Sequence, residues 1–583
     1  MKRDSYLVGK AFRSFLFASV MTVAASQMGA FIDGLMVTWF ISDAAMSAVN
    51  ISTPVLQLYF SLCLLLGVGG TLVAGNAIGR HDRPKASRIF SLSLLSAVTA
   101  GILLGAGGMI FFAPLVGMLC PDSTLIGFAS DYLKIIVPSA PVYMLMIVLQ
   151  LFVALDGEPK RVTAAVCTCI AVNLILDYIF IALFGWGMTG AAVATVISYI
   201  PAILILSMHF RKPETLRLTL RTGSSPLSSL SGIISMGAPS GFTAMLMSVQ
   251  IFICNIIAIH YLGTSGVIVF AVCMYLLRLS MIILTGAIDS FQPVASILAG
   301  SGDNRGVLLV VGKAYSFLTA SLVIYAGIMI LFPEWIGALF GITDPQTSAV
   351  VRSAIPAYAV NIMLQCAVGL MIPVYQVYSN RGIAMLISIG QPLLPILFFF
   401  IMAAAGANAW WGFAIGQGVL LLIVAPAALA KKGDHVPFLL IPVSSADKVY
   451  DTSFLPTVED IGAGLLEVDN WMKECGIEDS LRFQVGVSCE EILKNISDHA
   501  RGINRSKASI DMRVTNAGAA GVTVVIHDGG TPFNPIREDP QTGLGLQIVK
   551  GSCGNIRYEY LFSQNILTMS WDNQEIDSGK KKQ

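Results

Sequence analysis

The stretch Ala428-Leu-Ala-Lys431-Lys432-Gly433-Asp434-His435 decides how this chain is read. Before it, apolar segments follow one another almost without a break. After it, the composition is that of a water-soluble domain. One polypeptide that needs two solvents needs two domains. Residues 1–435 are expected in a bilayer and 448–575 in water, with 436–447 as the linker and 576–583 as a disordered tail.

Working outward, the whole chain is 55% hydrophobic and only 12% charged, with a mean hydropathy of +0.74, far from the composition of an ordinary globular chain. Its net charge of +1 divides unevenly: residues 1–435 hold 22 Lys+Arg against 15 Asp+Glu, and 436–583 hold 14 against 20. An acidic soluble part lacks the dense basic face that a nucleic-acid partner requires. Of the ten cysteines, only Cys167-x-Cys169 form a close pair, without a second pair or His cluster to complete a metal site. Buried thiols are expected rather than disulfides. The first apolar run is long and has no small-residue cleavage site, so it reads as a retained helix.

Twelve apolar stretches are long enough to cross about 30 Å of hydrocarbon at 1.5 Å per residue. They fall near 14–40, 46–77, 89–113, 130–155, 162–184, 187–209, 234–260, 265–300, 312–333, 354–378, 383–405 and 408–430. The loops on one side carry nineteen Lys and Arg, from Lys2 and Arg3 to Lys431 and Lys432; those on the other carry Lys134 and Arg352 alone. The positive-inside rule then places both termini in the cytoplasm, with the chain in the inner membrane. The spans also repeat. Gly79-Arg-His-Asp82 answers Gly300-Ser-Gly-Asp303, Phe112-Ala-Pro answers Phe332-Pro-Glu, and Arg161 answers Arg381, at offsets of 221, 220 and 220. The expectation is an all-α polytopic domain of twelve helices in two parallel six-helix halves, about 10–215 and 230–430. Alternating-access transporters are commonly built this way.

The run Gly67-Val-Gly-Gly70 with Asn76-Ala-Ile-Gly79-Arg, and Gly190-Ala-Ala-Val-Ala-Thr195-Val-Ile-Ser198, resemble the MATE family of multidrug and toxic-compound extrusion antiporters over residues 10–430. The resemblance implies export of a small organic compound against entry of H⁺ or Na⁺.

Carboxylates at mid-membrane cost roughly 2.5–3.5 kcal/mol on insertion scales, so each needs a partner or a purpose. Asp33 lies in span 1 and Asp177 in span 5, at depths that differ by about 6 Å. Asn173 is four residues before Asp177 and shares its helix face; Thr195 sits at a compatible height on span 6. Two carboxylates, an amide and a hydroxyl can share a proton, because two desolvated carboxylates do not both ionise easily. They can equally replace the water around Na⁺, or each acid can simply snorkel to the outer interface. The resemblance favours a cation site, since the family's first-lobe site carries an Asp on helix 1, Asn-x-x-x-Asp on helix 5 and a Thr on helix 6. In the second half, the position 220 after Asp33 is Ile253, and only Gln250 and Asn255 are polar nearby. Arg278 and Asp289 of span 8 are candidates for the substrate path, with a cap, kink or counter-ion role as the alternative. Gln57, Gln150 and His260 read as packing or end-of-span residues.

Beyond residue 438, helices are expected at 456–475 and 480–501 and strands at 507–515, 521–527, 556–560 and 566–571, forming a two-layer α/β sandwich with a mixed sheet. Glu491 and Asn495 share a helical face; Asp528-Gly-Gly530 ends a strand; Gly543-Leu-Gly545 opens a helix whose free N–H groups suit phosphates. In this chemistry Glu491 orients a nucleophile, Asn495 binds the Mg²⁺ of a nucleotide, and Asp528 accepts the amine of adenine. The order resembles the GHKL (Bergerat) ATP-binding fold, in its anti-sigma-factor serine-kinase branch, over about 448–572. Glu491-Ile-Leu-Lys-Asn495-Ile-Ser-Asp-His499 is similar to that branch's N-box, and a short lid is expected at 536–542. The resemblance implies ATP and Mg²⁺ as cofactors, a catalytic Glu491, and a soluble STAS-type or sigma-factor-like partner. Two readings follow: an antiporter with a cytosolic ATP-binding regulatory domain, or a membrane-bound signalling protein whose tail is a serine kinase.

Overall fold

The computed structural model describes residues 6–120, 124–212, 215–219, 226–431, 433–443, 448–499, 509–516, 518, 521–530, 532, 534, 544–562 and 564–571. The chain divides into two compact units, Phe12–Ile441 and Pro442–Gln583, and the second also takes in Met1–Ala11.

The larger unit is helical. Its first half holds α1 (Tyr6–Phe40), α2 (Asp43–Cys63), α3 (Gly69–Gly79), α4 (Arg83–Ile110), α5 (Phe112–Leu119), α6 (Ile126–Ile136), α7 (Ala140–Leu155), α8 (Pro159–Asp177) and α9 (Gly187–Ser207). Its second half holds α10 (Pro226–Ile257), α11 (Gly263–Gly300), α12 (Asn304–Leu331), α13 (Pro333–Leu339), α14 (Pro345–Gly369), α15 (Met371–Val377), α16 (Arg381–Ala404) and α17 (Trp411–Leu429). Asp82 and Asp303 start α4 and α12 identically, each side chain accepting the backbone N–H three residues on, at 3.0 and 2.8 Å. Before each cap the chain passes through positive φ, 58° at His81 and 74° at Gly302. The sequence repeat is thus also a repeat of caps and turns. Its two glycine landmarks meet: a Cβ on Gly79 would lie 2.1 Å from the Ile297 carbonyl, and one on Gly300 2.4 Å from that of Asn76. Only glycine lets α3 and α11 approach backbone to backbone.

Among the described residues, ten helical runs are long and apolar enough to cross a membrane, or eleven if α6 and α7, bent by 58°, make one span. Twelve were expected. The difference lies at Pro226–Gly300, a 75-residue run that contains both α10 and α11. They part at Gly263, whose φ is 67°. Three turns of α-helix are widened to π geometry, at Leu64–Val68, Tyr178–Leu183 and Ala258–Leu262.

The smaller unit is an α/β layer pair. It contains β1 (Val449–Phe454), α18 (Val458–Glu474), α19 (Asp479–His499), β2 (Ile510–Asn516), β3 (Val522–Asp528), α20 (Leu544–Ser552), β4 (Asn555–Leu561) and β5 (Gln564–Trp571). The strand order is β1-β2-β3-β5-β4. Every neighbouring pair is antiparallel, which corrects the expected mixed sheet: no crossover connection returns a strand in the same direction. Val485, Ile492 and Leu493 of α19 pack with Trp471 of α18 on the alternate residues Val524, Ile526, Leu567 and Met569. Strand β1 was not foreseen, because its buried residues are polar: Asp451 faces Arg513 at 3.9 Å, and Ser453 Oγ donates to Asp511 at 2.7 Å. The expected tail at 576–583 and lid at 536–542 lie outside the described residues, as do 444–447 of the linker.

Candidate functional site

Two sites are built from the predicted residues, one in each unit. In the membrane unit, α1 and α8 bring Asp33 and Asp177 close enough for the two carboxyls to interact. Asp177 is fully buried. Among the described residues, both of its oxygens, Asp33 Oδ1 and Asn173 Nδ2 are buried without a hydrogen-bond partner. Two carboxylates offer only acceptors, so their contact becomes a bond only when a proton or a cation stands between them. Buried polar groups are rarely left unmet, so these four atoms mark a candidate site. Asp177 is the last α-helical residue before the π turn Tyr178–Leu183, a distortion that recurs at functional positions.

The other two predicted members are placed differently. Asn173 stands one turn before Asp177 on α8. Thr195 spends its hydroxyl on the Ala191 carbonyl of its own helix, at 3.0 Å. The sequence reading missed Tyr132 of α6, which is buried and close to both carboxylates, and Tyr199 of α9, which lies near Asp33. Nothing in the spacing of α6 announces this; only the packing of α6 on α9 and α2 does.

Asp289 and Arg278 are not brought together. Asp289 lines a cavity of about 90 Å³ with Gln150, Gln292, Thr22, Thr71 and Ser296, whereas Arg278 is exposed on α11 and is not part of that lining. Gln150, read as a packing residue, therefore lines a cavity whose walls also include Leu151, Ala154 and Val162. At this volume the cavity suits a few waters or a small polar group, well short of the ~300–1,000 Å³ typical of drug-sized pockets. Gln57 is a packing residue, as expected, with Nε2 donating to the Ala244 carbonyl at 3.1 Å.

In the smaller unit, Asp528 ends β3 and is buried. Its Oδ1 accepts from Gly530 N at 2.8 Å and from Asn565 Nδ2 at 2.9 Å. The Asn565 Oδ1 in turn accepts from the Tyr558 hydroxyl at 2.7 Å. Burial raises the Asp528 carboxyl above the usual aspartate range, against the lowering effect of those two donors. Asn565 and Tyr558 were not foreseen; they hold the carboxylate still from β5 and β4. Glu491 and Asn495 lie one turn apart on α19, both half-buried. Gly545 is in the first turn of α20. Gly543 lies outside the described residues, and His499 closes α19. No metal-ligand cluster of His, Cys, Asp and Glu occurs among the described residues.

Comparison with known proteins finds a match in each unit. Residues 18–179 match the MatE family, and residues 454–571 match the histidine kinase-like ATPase domain family. The chain is 25% identical over 381 residues to the multidrug export protein MepA of Staphylococcus haemolyticus, covering 64% of this chain and 82% of that one. It is 24% identical over 273 residues to MepA of Staphylococcus aureus, covering 46% and 60%. Among solved structures, a MATE protein in complex with MaL6 superposes with a TM-score of 0.66 at 21% identity, over 73% of this chain and 96% of that one. A MOP superfamily transporter from Pyrococcus furiosus gives 0.66 at 21% identity, over 73% and 97%. The chain is thus a multi-pass membrane protein that joins a MATE-family transporter domain to a C-terminal histidine kinase-like ATPase domain.

Proposed function

We propose that this protein is a cation-coupled antiporter that exports organic compounds across the inner membrane and carries a cytosolic nucleotide-responsive domain. The observation that carries the reading is the Asp33–Asp177 contact, with its buried, unpartnered oxygens. When H⁺ or Na⁺ occupies the pair, the cluster is satisfied and α1 and α8 are drawn together. When it leaves, two like charges in a poorly solvated place repel, which favours a rearrangement of the lobe. Asn173 and Thr195 are the proposed neutral oxygens of the site. Asp289, facing Gln150 and Gln292, is proposed as a polar station on the substrate path. The relatives named multidrug export proteins support an organic substrate.

In this reading α10 and α11 are separate crossings, since a run of 75 residues would measure roughly 110 Å as one helix. Counted this way, with α6 and α7 as one span, the proposal keeps twelve spans in two six-helix halves and both termini on one side, which the cationic loops assign to the cytoplasm. The domain limits proposed from sequence, 1–435, 436–447 and 448–575, stand as part of it. The C-terminal site is proposed to bind ATP through Asp528, Gly530, Gly543 and Gly545, with Mg²⁺ held at Asn495. The presence of Glu491 beside Asn495 keeps a serine-kinase role, with a STAS-type or sigma-factor-like partner, as the second reading. The test is efflux of a dye cation such as ethidium from proteoliposomes under an imposed H⁺ or Na⁺ gradient. Gradient-dependent efflux is expected, and its absence under both gradients would remove the antiporter reading.

A further inference from the structure

The compact unit that holds the nucleotide site begins with the chain's own N-terminus. Helix α1 has 35 residues, about 52 Å at 1.5 Å per residue, which exceeds the ~30 Å of hydrocarbon by several turns. Its first turns are therefore free to belong to the soluble unit. Leu7 and Val8 are buried. Gln564 Nε2 donates to the Leu7 carbonyl at 2.8 Å, and Lys10 Nζ reaches the Gly529 carbonyl at 3.5 Å. A Cβ on Gly529 would sit 3.1 Å from Leu7 Cδ2 and 3.4 Å from Lys10 Nζ. The N-terminal turn thus lies directly on the middle residue of Asp528-Gly529-Gly530.

The sheet register says from which side. Asp528 pairs with Asn565 across β3 and β5. By strand alternation both share a face with Ile526, Leu567 and Met569, the face covered by α18 to α20. Gln564, one residue earlier, points the other way, and it is Gln564 that holds Leu7. Asn565 fixes the carboxylate from the front while its neighbour Gln564 anchors the N-terminal turn behind.

We propose that Leu7 to Lys10 form a cis-acting back wall of the nucleotide site, seated on Gly529 opposite the base, so that nucleotide binding and seating of this segment stabilise each other. The proposal rests on the reading that Asp528 binds adenine. Coupling of this kind is reciprocal: whatever factor seating adds to nucleotide affinity, nucleotide adds to seating. The segment is continuous with the helix that carries Asp33.

The test uses the full-length protein in detergent, with mant-ATP·Mg²⁺ as the probe. Leu7→Asp and Gln564→Ala should each weaken binding at least about fivefold. The double variant should be little weaker than the worse single, because both break one contact. In the wild type, saturating mant-ATP should slow amide hydrogen exchange over residues 7–11 by a similar factor, and should not do so in Asp528→Asn. If Leu7→Asp fails to fold, the Gln564→Ala titration and the exchange measurement still decide. Wild-type binding with unchanged affinity in the variants and unchanged exchange overturns the back-wall proposal alone. No binding by the wild type at millimolar probe overturns the nucleotide reading and this proposal with it.

Discussion

Replacing Asp177 by Asn should abolish coupled transport and yet stabilise the protein under alkaline conditions, two effects of opposite sign from one atom. In the wild type, Asp177 Oδ1 and Oδ2 and Asp33 Oδ1 have no donor among the described residues. With a proton between the two carboxyls one charge-assisted hydrogen bond forms; when the proton leaves, the bond goes and two buried charges face each other. An Asn at 177 carries its own N–H donors to Asp33 at every pH, in nearly the same volume. A hydrogen bond to a charged group contributes about 1.5–3 kcal/mol. The variant should therefore exceed the wild type by roughly that amount in alkaline buffer, read as an unfolding midpoint raised by a few degrees. In acid buffer, where the wild type holds its shared proton, the two midpoints should converge. The assay is thermal unfolding of the purified full-length protein across a pH series, with gradient-driven efflux measured on the same preparations. A variant less stable than the wild type at every pH would refute the reasoning, because it would mean that the Asp177 oxygens already have partners that Asn cannot keep.

Three further outcomes are expected. Asp528→Asn should weaken ATP binding roughly 5- to 150-fold, the effect of losing about 1–3 kcal/mol at a buried acceptor. Because burial raises the Asp528 carboxyl and the adenine amine needs the ionised acceptor, wild-type affinity should fall on acidification at a higher pH than for an exposed aspartate. Calorimetry should find the Asn variant lacking that component of the pH dependence. Gly300→Ala should cost about 1–3 kcal/mol by overpacking, since its Cβ would lie 2.4 Å from the Asn76 carbonyl, and should lower the unfolding midpoint of the helical unit. A cysteine replacing Asp344, at the start of α14, should label from outside intact cells, and a reporter after Gln583 should read as cytosolic; the reverse pattern would invert the proposed orientation.

Much of this was legible because bilayers and repeats write themselves into composition. The change at Lys431-Lys432 signalled two environments, while the compact units divide between Ile441 and Pro442; constant offsets exposed a repeat that the matched caps Asp82 and Asp303 now express in hydrogen bonds. Depth counting along straight helices brought Asp33 to Asp177. It could not place Tyr132, because α6 and α7 are bent by 58° and helix rotation is set by packing. The spans expected at 234–260 and 265–300 correspond to α10 and α11, which part at a single glycine with positive φ. In the soluble unit, alternation found β3 and β5, while β1 hid behind buried Asp451, Thr452 and Ser453. Asp528 was readable from its motif. Its supports Asn565 and Tyr558 depend on strand pairing, and the Gln564–Leu7 bond joins positions 557 residues apart, beyond the reach of local pattern.

The central claim, that Asp33 and Asp177 together hold the coupling ion, is tested most directly by ion release from purified protein on addition of a transported dye cation. In weakly buffered solution a proton-coupled wild type should release H⁺ as the dye binds. A Na⁺-coupled wild type should instead bind Na⁺ in a titration that the dye reverses. Asp33→Asn and Asp177→Asn should each show neither response while remaining folded. Wild-type release or binding retained by either variant would contradict the account, because the coupling ion would then have to sit elsewhere in the protein.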